Sequence, residues 1–192
     1  MVVYLHGLNS AGSSAKATWL RGHLPGITVL SPSYPAHNGT VAPAVLRQFI
    51  AQARTAHPGD RRLLLVGSSL GGFWAQYLAP LLGAGLVLIN PALRPDESLL
   101  HLCGPQRNEA TGERYELTPE HVRAMAHYRL ARCNRRVPTV VLLDAADEVI
   151  DYRIAEDFYR GCGTTFVYPG GSHRFEHLPE ALPAIRCLYD TL

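Results

Sequence analysis

Six short aliphatic runs recur along the chain with helix-length intervals between them, and this spacing constrains the fold more than any other feature. They are MVVYLHG, ITVLSPSYP, RLLLVGSS, GLVLINP, PTVVLLDAAD and TTFVYPGG. Each run is nearly continuous in apolar residues, without the alternation of a sheet that is wet on one face, so each predicts a strand covered on both sides. Buried strands joined by helical crossovers pair in parallel, which predicts a six-stranded, mostly parallel, doubly wound α/β sheet. A chain of 192 residues with 47% hydrophobic content can bury one such core, so a single domain over residues 1–192 is expected.

Open α/β sheets bind ligands beyond the carboxyl ends of their strands. That rule directs attention to His6 to Ser10, Ser68 to Gly72, Asp144 to Asp151 and Gly170 to His173. One interval breaks the rhythm: residues 92–136 are far longer than a crossover helix needs. Within them LTPEHVRAMAHYRLAR predicts an amphipathic helix, with Thr118 as N-cap, Pro119 at the first helical position and apolar spacing at Leu117, Val122, Met125 and Leu130. The insertion reads as a small helical cap over the crevice whose apolar face lines the site.

The stretch LLLVGSSLGGFW, residues 63–74, places a strand, then G-x-S-x-G, then a helix. This is the nucleophile elbow, in which a sharp turn lifts a serine hydroxyl above the sheet. Positions two before and two after the nucleophile are crowded, so both favour glycine. With Ser69 central they are Gly67 and Gly71; with Ser68 central they are Val66 and Leu70, whose side chains would obstruct the turn. Ser69 is therefore the candidate nucleophile, with Ser68 shaping the turn and Gly72 letting the next helix pack close. A plain glycine turn is the bland alternative, and a phosphate cradle is ruled out because neither G-x-x-x-x-G-K-[ST] nor G-x-G-x-x-G occurs here.

In such folds the partners follow in the order serine, acid, histidine. Of nine histidines, His173 follows the last strand after a glycine pair, in FVYPGGSHRF, and is the candidate base; His177 is the runner-up. His101, His121 and His127 fall in the insertion, and His23, His37 and His57 precede the serine. For the acid, VVLLDAADEVIDY offers Asp144, Asp147, Glu148 and Asp151. Asp147 suits best: Asp144 is still at the strand end, Glu148 is expected to point to another face and Asp151 to enter the next helix. An oxyanion hole needs the backbone N–H after the nucleophile, Leu70, and one from the loop after the first strand. There LHGLNS makes the Leu8 N–H the second donor, with Asn9 close by. His6 reads as a scaffold residue of that loop. SSAK, Ser13 to Lys16, matches the S-x-x-K of penicillin-recognising enzymes, but Lys16 is the only lysine, so the K-T-G those enzymes also need is absent.

A net charge of +2 without a dense basic and aromatic run gives no reason to expect nucleic acid. No apolar run approaches the roughly 18 residues of a membrane span, and MVVYLHG lacks a basic leader, so a cytoplasmic protein is expected. Cys103, Cys133, Cys162 and Cys187 show no CxxC or Cys/His ligand spacing; they read as reduced thiols, and no metal or cofactor is called for.

In the motifs YLHGLNS with SAKA after it, LVGSSLGGFWA, VLINPALRP, TGERYEL, DEVIDYR and GGSHRF, the chain resembles the YqiA-like bacterial esterases of the α/β-hydrolase superfamily over nearly its whole length. The resemblance implies an α/β-hydrolase fold and esterase activity on small acyl esters, with Ser69, Asp147 and His173 at the family's triad positions. Two departures stand out. Ala146 occupies a position where glycine commonly precedes the acid, and Arg174 follows the histidine where a small residue is usual, which would bear on leaving-group preference. Two other functions use the same residues differently. An acyl-CoA thioesterase would draw on the basic run YRLARCNRR, and a binding protein would use the scaffold without catalysis.

Overall fold

The computed structural model describes residues 1–192. Six strands, β1 (Val2–Leu5), β2 (Val29–Leu30), β3 (Leu64–Ser68), β4 (Gly85–Ile89), β7 (Thr139–Asp144) and β8 (Thr164–Tyr168), form one sheet in the order β2-β1-β3-β4-β7-β8. Every pairing is parallel, so the expectation of a mostly parallel sheet is met throughout. β5 (Gly104–Arg107) and β6 (Arg114–Leu117) make a separate antiparallel hairpin.

Side chains alternate between two apolar layers. Val3, Leu5, Leu65 and Leu88 face α2 (Ala42–Ala56), α3 (Leu70–Leu82) and α6 (Tyr152–Tyr159), whereas Val2, Tyr4, Val66 and Ile89 face α1 (Ala15–His23) and α7 (Leu178–Asp190). The period of two puts successive residues on opposite faces. A strand that is apolar at every position is therefore stable only when helices cover both. The two edges depart from that rule. β2 has two residues because Pro32 and Pro35 follow it and cannot donate to a ladder. At the far edge β8 leaves Phe166 and Val167 each 38% exposed, so TTFVY is a half-wet strand and not the buried one expected.

Residues 92–136 hold less helix than the sequence suggests. After the short α4 (Pro95–Ser98) and the β5–β6 hairpin, α5 spans only Pro119–Arg123 before tightening to a 3-10 turn over Ala124–Tyr128. Thr118 caps α5 by accepting from the His121 N–H at 3.2 Å, as expected. Val122 and Met125 are fully buried, so the apolar spacing is real, but Arg129 turns extended and ends the helix early. Tertiary packing overrides helix propensity here. The hairpin went unrecognised because GPQR and RYEL carry no aliphatic run.

Cys133 and Cys162 are joined by a disulfide, with Cα atoms 6.1 Å apart; Cys103 and Cys187 are free. The expectation of four reduced thiols is thus corrected for one pair. A separation of 29 residues gives no local signal for pairing, and only the fold brings the segment before β7 to the loop before β8.

Candidate active site

Ser69 stands between β3 and α3 with φ 54° and ψ −123°, a conformation that costs a non-glycine residue about 1–3 kcal/mol. Hydrogen bonds from the Ser69 N–H to Ile89 O at 2.9 Å and from the Ala92 N–H to Ser69 O at 3.1 Å hold it there. The turn is as crowded as the glycine argument requires. A Cβ on Gly67 would lie 2.4 Å from Gly71 O, one on Gly71 would lie 2.0 Å from Leu5 O, and one on Gly72 would meet Pro91 at 2.8 Å.

His173 Nε2 is 2.9 Å from Ser69 Oγ. On its other side Nδ1 is 2.8 and 3.0 Å from the two Asp147 oxygens. A carboxylate only accepts, so the proton sits on Nδ1 and Nε2 accepts from the serine hydroxyl. The Asp147 side chain is 2% exposed. Burial works to raise its pKa, but the hydrogen bond from His173 and the N–H groups of Ile150 and Val149 hold the carboxyl below its usual range. The Ile150 and Val149 bonds, at 2.8 and 2.9 Å, both end on Oδ1.

Asp144, the last residue of β7, has another place in the same loop system. Fully buried, it accepts from the Ser172 N–H at 3.1 Å, the Glu176 N–H at 2.8 Å and His177 Nδ1 at 2.7 Å. His177, the runner-up base, is thereby committed to Asp144 and stacks on Tyr168 at 5.0 Å. Glu148 corrects an expectation. It does not point away but accepts the His173 backbone N–H at 2.9 Å, an interaction that lowers its pKa. Asp151 caps α6, as anticipated, through the Arg153 N–H.

Asn90 is a site residue the sequence reading missed. Its backbone is left-handed at φ 41°, a conformation asparagine tolerates better than most residues. Its buried amide donates to Ser172 O at 3.0 Å and accepts from the Asp144 N–H at 2.9 Å, tying the end of β4 to both loops. The available signal was a polar residue directly ending an aliphatic strand, in LVLINP.

The loop after β1 lies over the serine. Gly7 is favoured by close approach rather than by an unusual turn, since a Cβ there would lie 3.1 Å from Ser69 Cβ, a tight contact. The Leu8 N–H makes no hydrogen bond within the chain. Leu70 opens α3, where N–H groups have no intrahelical acceptor and the helix dipole favours negative charge. His6, 2% exposed, meets Gly7 O through Nδ1 at 2.9 Å and accepts the Tyr34 N–H through Nε2 at 3.4 Å. Burial lowers its pKa, with the Gly7 bond opposing, so it stays neutral and braces the loop. The 92–136 segment braces it too: the Tyr115 hydroxyl donates to Asn9 Oδ1 at 2.6 Å, and Asn108 Nδ2 donates to Ser10 O at 2.9 Å.

Ser69 and His173 open onto a cavity of about 1000 Å³. Its lining includes the apolar Leu99, Leu102, Val149 and Ile150, the aromatic Trp19 and Phe175, and the cationic Lys16 and Arg174. Arg129, Arg132, Arg135 and Arg136 do not line it, and Arg129 is held by Asp96 and Glu97.

A parallel sheet in this order, a serine elbow after β3 and an acid and a histidine in the loops after β7 and β8 together define an α/β-hydrolase fold. Solved structures share it. The monoacylglycerol lipase of Paleococcus ferrophilus matches with a TM-score of 0.71 at 17% identity, over 98% of this chain and 93% of that one. Est1E from Butyrivibrio proteoclasticus matches with a TM-score of 0.72 at 16% identity, over 96% and 84%.

Within that fold the chain belongs to the Uncharacterised protein family UPF0227, whose model matches residues 1–189; this is the YqiA-like family that the motifs resemble. A UPF0227 protein of Serratia proteamaculans is 26% identical over 190 residues, 97% of each chain. One of Yersinia pseudotuberculosis is 35% identical over 103 residues, about half of each.

Proposed function

We propose that this protein is a serine hydrolase of carboxylic esters. Ser69 Oγ attacks the acyl carbon while His173 Nε2 takes its proton, and Asp147 orients the imidazole and stabilises its charged form. The Leu8 and Leu70 N–H groups receive the developing oxyanion. His173 returns the proton to the departing alcohol, and water activated by the same nitrogen releases the acid. The single observation that carries this reading is the unbroken chain from Asp147 through His173 to Ser69, with both heavy-atom distances below 3 Å. A strained serine facing a large cavity adds to it, because binding alone requires neither the strain nor the base. The 92–136 segment acts as a partial cap that supplies Leu99 and Leu102 to the acyl site. A thioesterase would run on the same groups, although the basic run around Arg132 lies away from the cavity.

The test is turnover of a panel of p-nitrophenyl esters and acyl-CoAs by wild type, Ser69→Ala and Ser68→Ala, with adduct mapping after an organophosphonate probe. Loss in Ser69→Ala alone and labelling of Ser69 are expected. Equal losses in both variants, or an adduct on Ser13 or Ser68, would overturn the assignment.

A further inference from the structure

The cavity lining holds two cations that the reaction above does not use. Lys16, the only lysine of the chain, lies in the first turn of α1 with its side chain half-buried, and Arg174 follows His173 directly. Neither forms an ion pair, although ten ion pairs occur elsewhere in the chain. The nearest buried carboxylate, Asp144, is already engaged by two backbone N–H groups and His177. Glu109 and Glu176 also border the cavity but stand beyond pairing distance from both cations. Burial lowers the Lys16 pKa first, and the neighbouring Arg174 charge lowers it further, against a weaker pull from Asp144.

Two like charges brought together in a partly dehydrated cleft cost free energy that a bound anion would recover. Lysine supplies a compact charge and arginine a planar fork, and both suit an oxyanion. Leu99 and Leu102 also line the cavity and suit an acyl chain, whereas Arg174 directly follows His173, the group that protonates the leaving alcohol.

We propose that Lys16 and Arg174 form a subsite for an anionic group on the leaving-alcohol side of the substrate, a carboxylate or a phosphate monoester. This rests on the ester-hydrolase reading and adds a substrate class to it: esters that join an apolar acyl chain to an anionic alcohol.

Three aryl butyrates of one shape test it: 4-butyryloxybenzamide, which is neutral, 4-butyryloxybenzoate and 4-butyryloxyphenyl phosphate. Wild type is expected to favour at least one anionic ester over the amide about tenfold in kcat/KM, mainly through KM. Lys16→Met and Arg174→Gln should each reduce the anionic-to-neutral ratio several-fold, and 0.5 M salt should reduce it in wild type, since exposed charges are screened. Preference for the carboxylate alone or the phosphate alone would support the subsite and name its anion. Turnover of the neutral ester with no anionic preference, or ratios untouched by both substitutions, would overturn the subsite and leave the hydrolase reading standing. A readout without turnover separates the two ideas further. 4-Hydroxybenzoate or inorganic phosphate should slow organophosphonate labelling of Ser69 in wild type but not in Lys16→Met, and absence of protection by either would count against the subsite even if no ester were hydrolysed.

Discussion

Replacing Asp147 by asparagine isolates what the acid does, because the structure dictates how the amide must sit. Oδ1 accepts from the Val149 and Ile150 N–H groups, so an asparagine keeps its carbonyl oxygen there and turns its NH2 toward His173 Nδ1, now 2.8 Å from Oδ2. Two donors cannot face each other. The imidazole must move its proton from Nδ1 to Nε2, and Nε2–H then confronts Ser69 Oγ at 2.9 Å, unable to accept its proton. The loss should approach the roughly 10⁴-fold in kcat seen when an equivalent acid is made an amide elsewhere, or about 5.5 kcal/mol of transition-state stabilisation at 1.36 kcal/mol per tenfold.

The two backbone bonds survive the change, so stability should fall by no more than about 1 kcal/mol. Asp144→Asn should show the reverse pattern. Its one carbonyl oxygen can keep the Ser172 and Glu176 N–H bonds, weakened by about 1 kcal/mol each as they become neutral, but its NH2 then faces His177 Nδ1 and that bond is lost, so it should cost roughly 3 kcal/mol of stability while the folded protein keeps most of its kcat. Urea unfolding and steady-state hydrolysis of p-nitrophenyl butyrate, on both variants, give the comparison. An Asp147→Asn enzyme with more than a few per cent of wild-type kcat, or an Asp144→Asn enzyme that folds normally and is inactive, would refute the tautomer argument.

Gly71→Ala should fail to fold stably, since its Cβ would lie 2.0 Å from the carbonyl oxygen of Leu5 in the buried strand β1. A loss above about 3 kcal/mol is expected by urea unfolding, and a stable variant would contradict the elbow packing. Reducing Cys133–Cys162, or replacing both by serine, should remove about 3–4 kcal/mol by the loop-entropy estimate for a closed loop of 29 residues; an unchanged melting temperature in dithiothreitol would show that the bond does not form. His37, stacked on Tyr115 at 3.9 Å, has its pKa lowered to about 4, chiefly by burial and then by His121, and Glu113, just before β6, borders the same small cavity. Below its unfolded value of about 6.5 the unfolded chain binds a proton that the folded one refuses, so stability should decline as pH falls from 6.5 toward 4. His37→Gln should flatten that slope in urea midpoints measured across the range, and an identical slope would remove His37 from the account.

The sequence by itself determined the layered sheet, because aliphatic runs without alternation have one stable use, between two layers of helices. It also pointed to the turn that Gly67 and Gly71 flank, since the crowding at those glycines is local to a tight strand-to-helix turn. The choice of Asp147 and His173 followed from chain order and loop position, and in the structure Asp147 and Ser69 meet the two ring nitrogens of His173. Long-range contacts were illegible. The Cys133–Cys162 bond, the Asn90 bridge between loops, the turn of Glu148 toward His173 and the clamp of Tyr115 on Asn9 join residues that are 25 to 106 positions apart. The truncated α5 and the β5–β6 hairpin were decided the same way. Their helix and strand preferences are weak, and packing against β1's loop and the α3 layer outweighs a few tenths of a kcal/mol per residue. Local sterics and hydrophobic period are written residue by residue, whereas the partners of polar side chains are set only when the crossovers bring distant loops to the same end of the sheet.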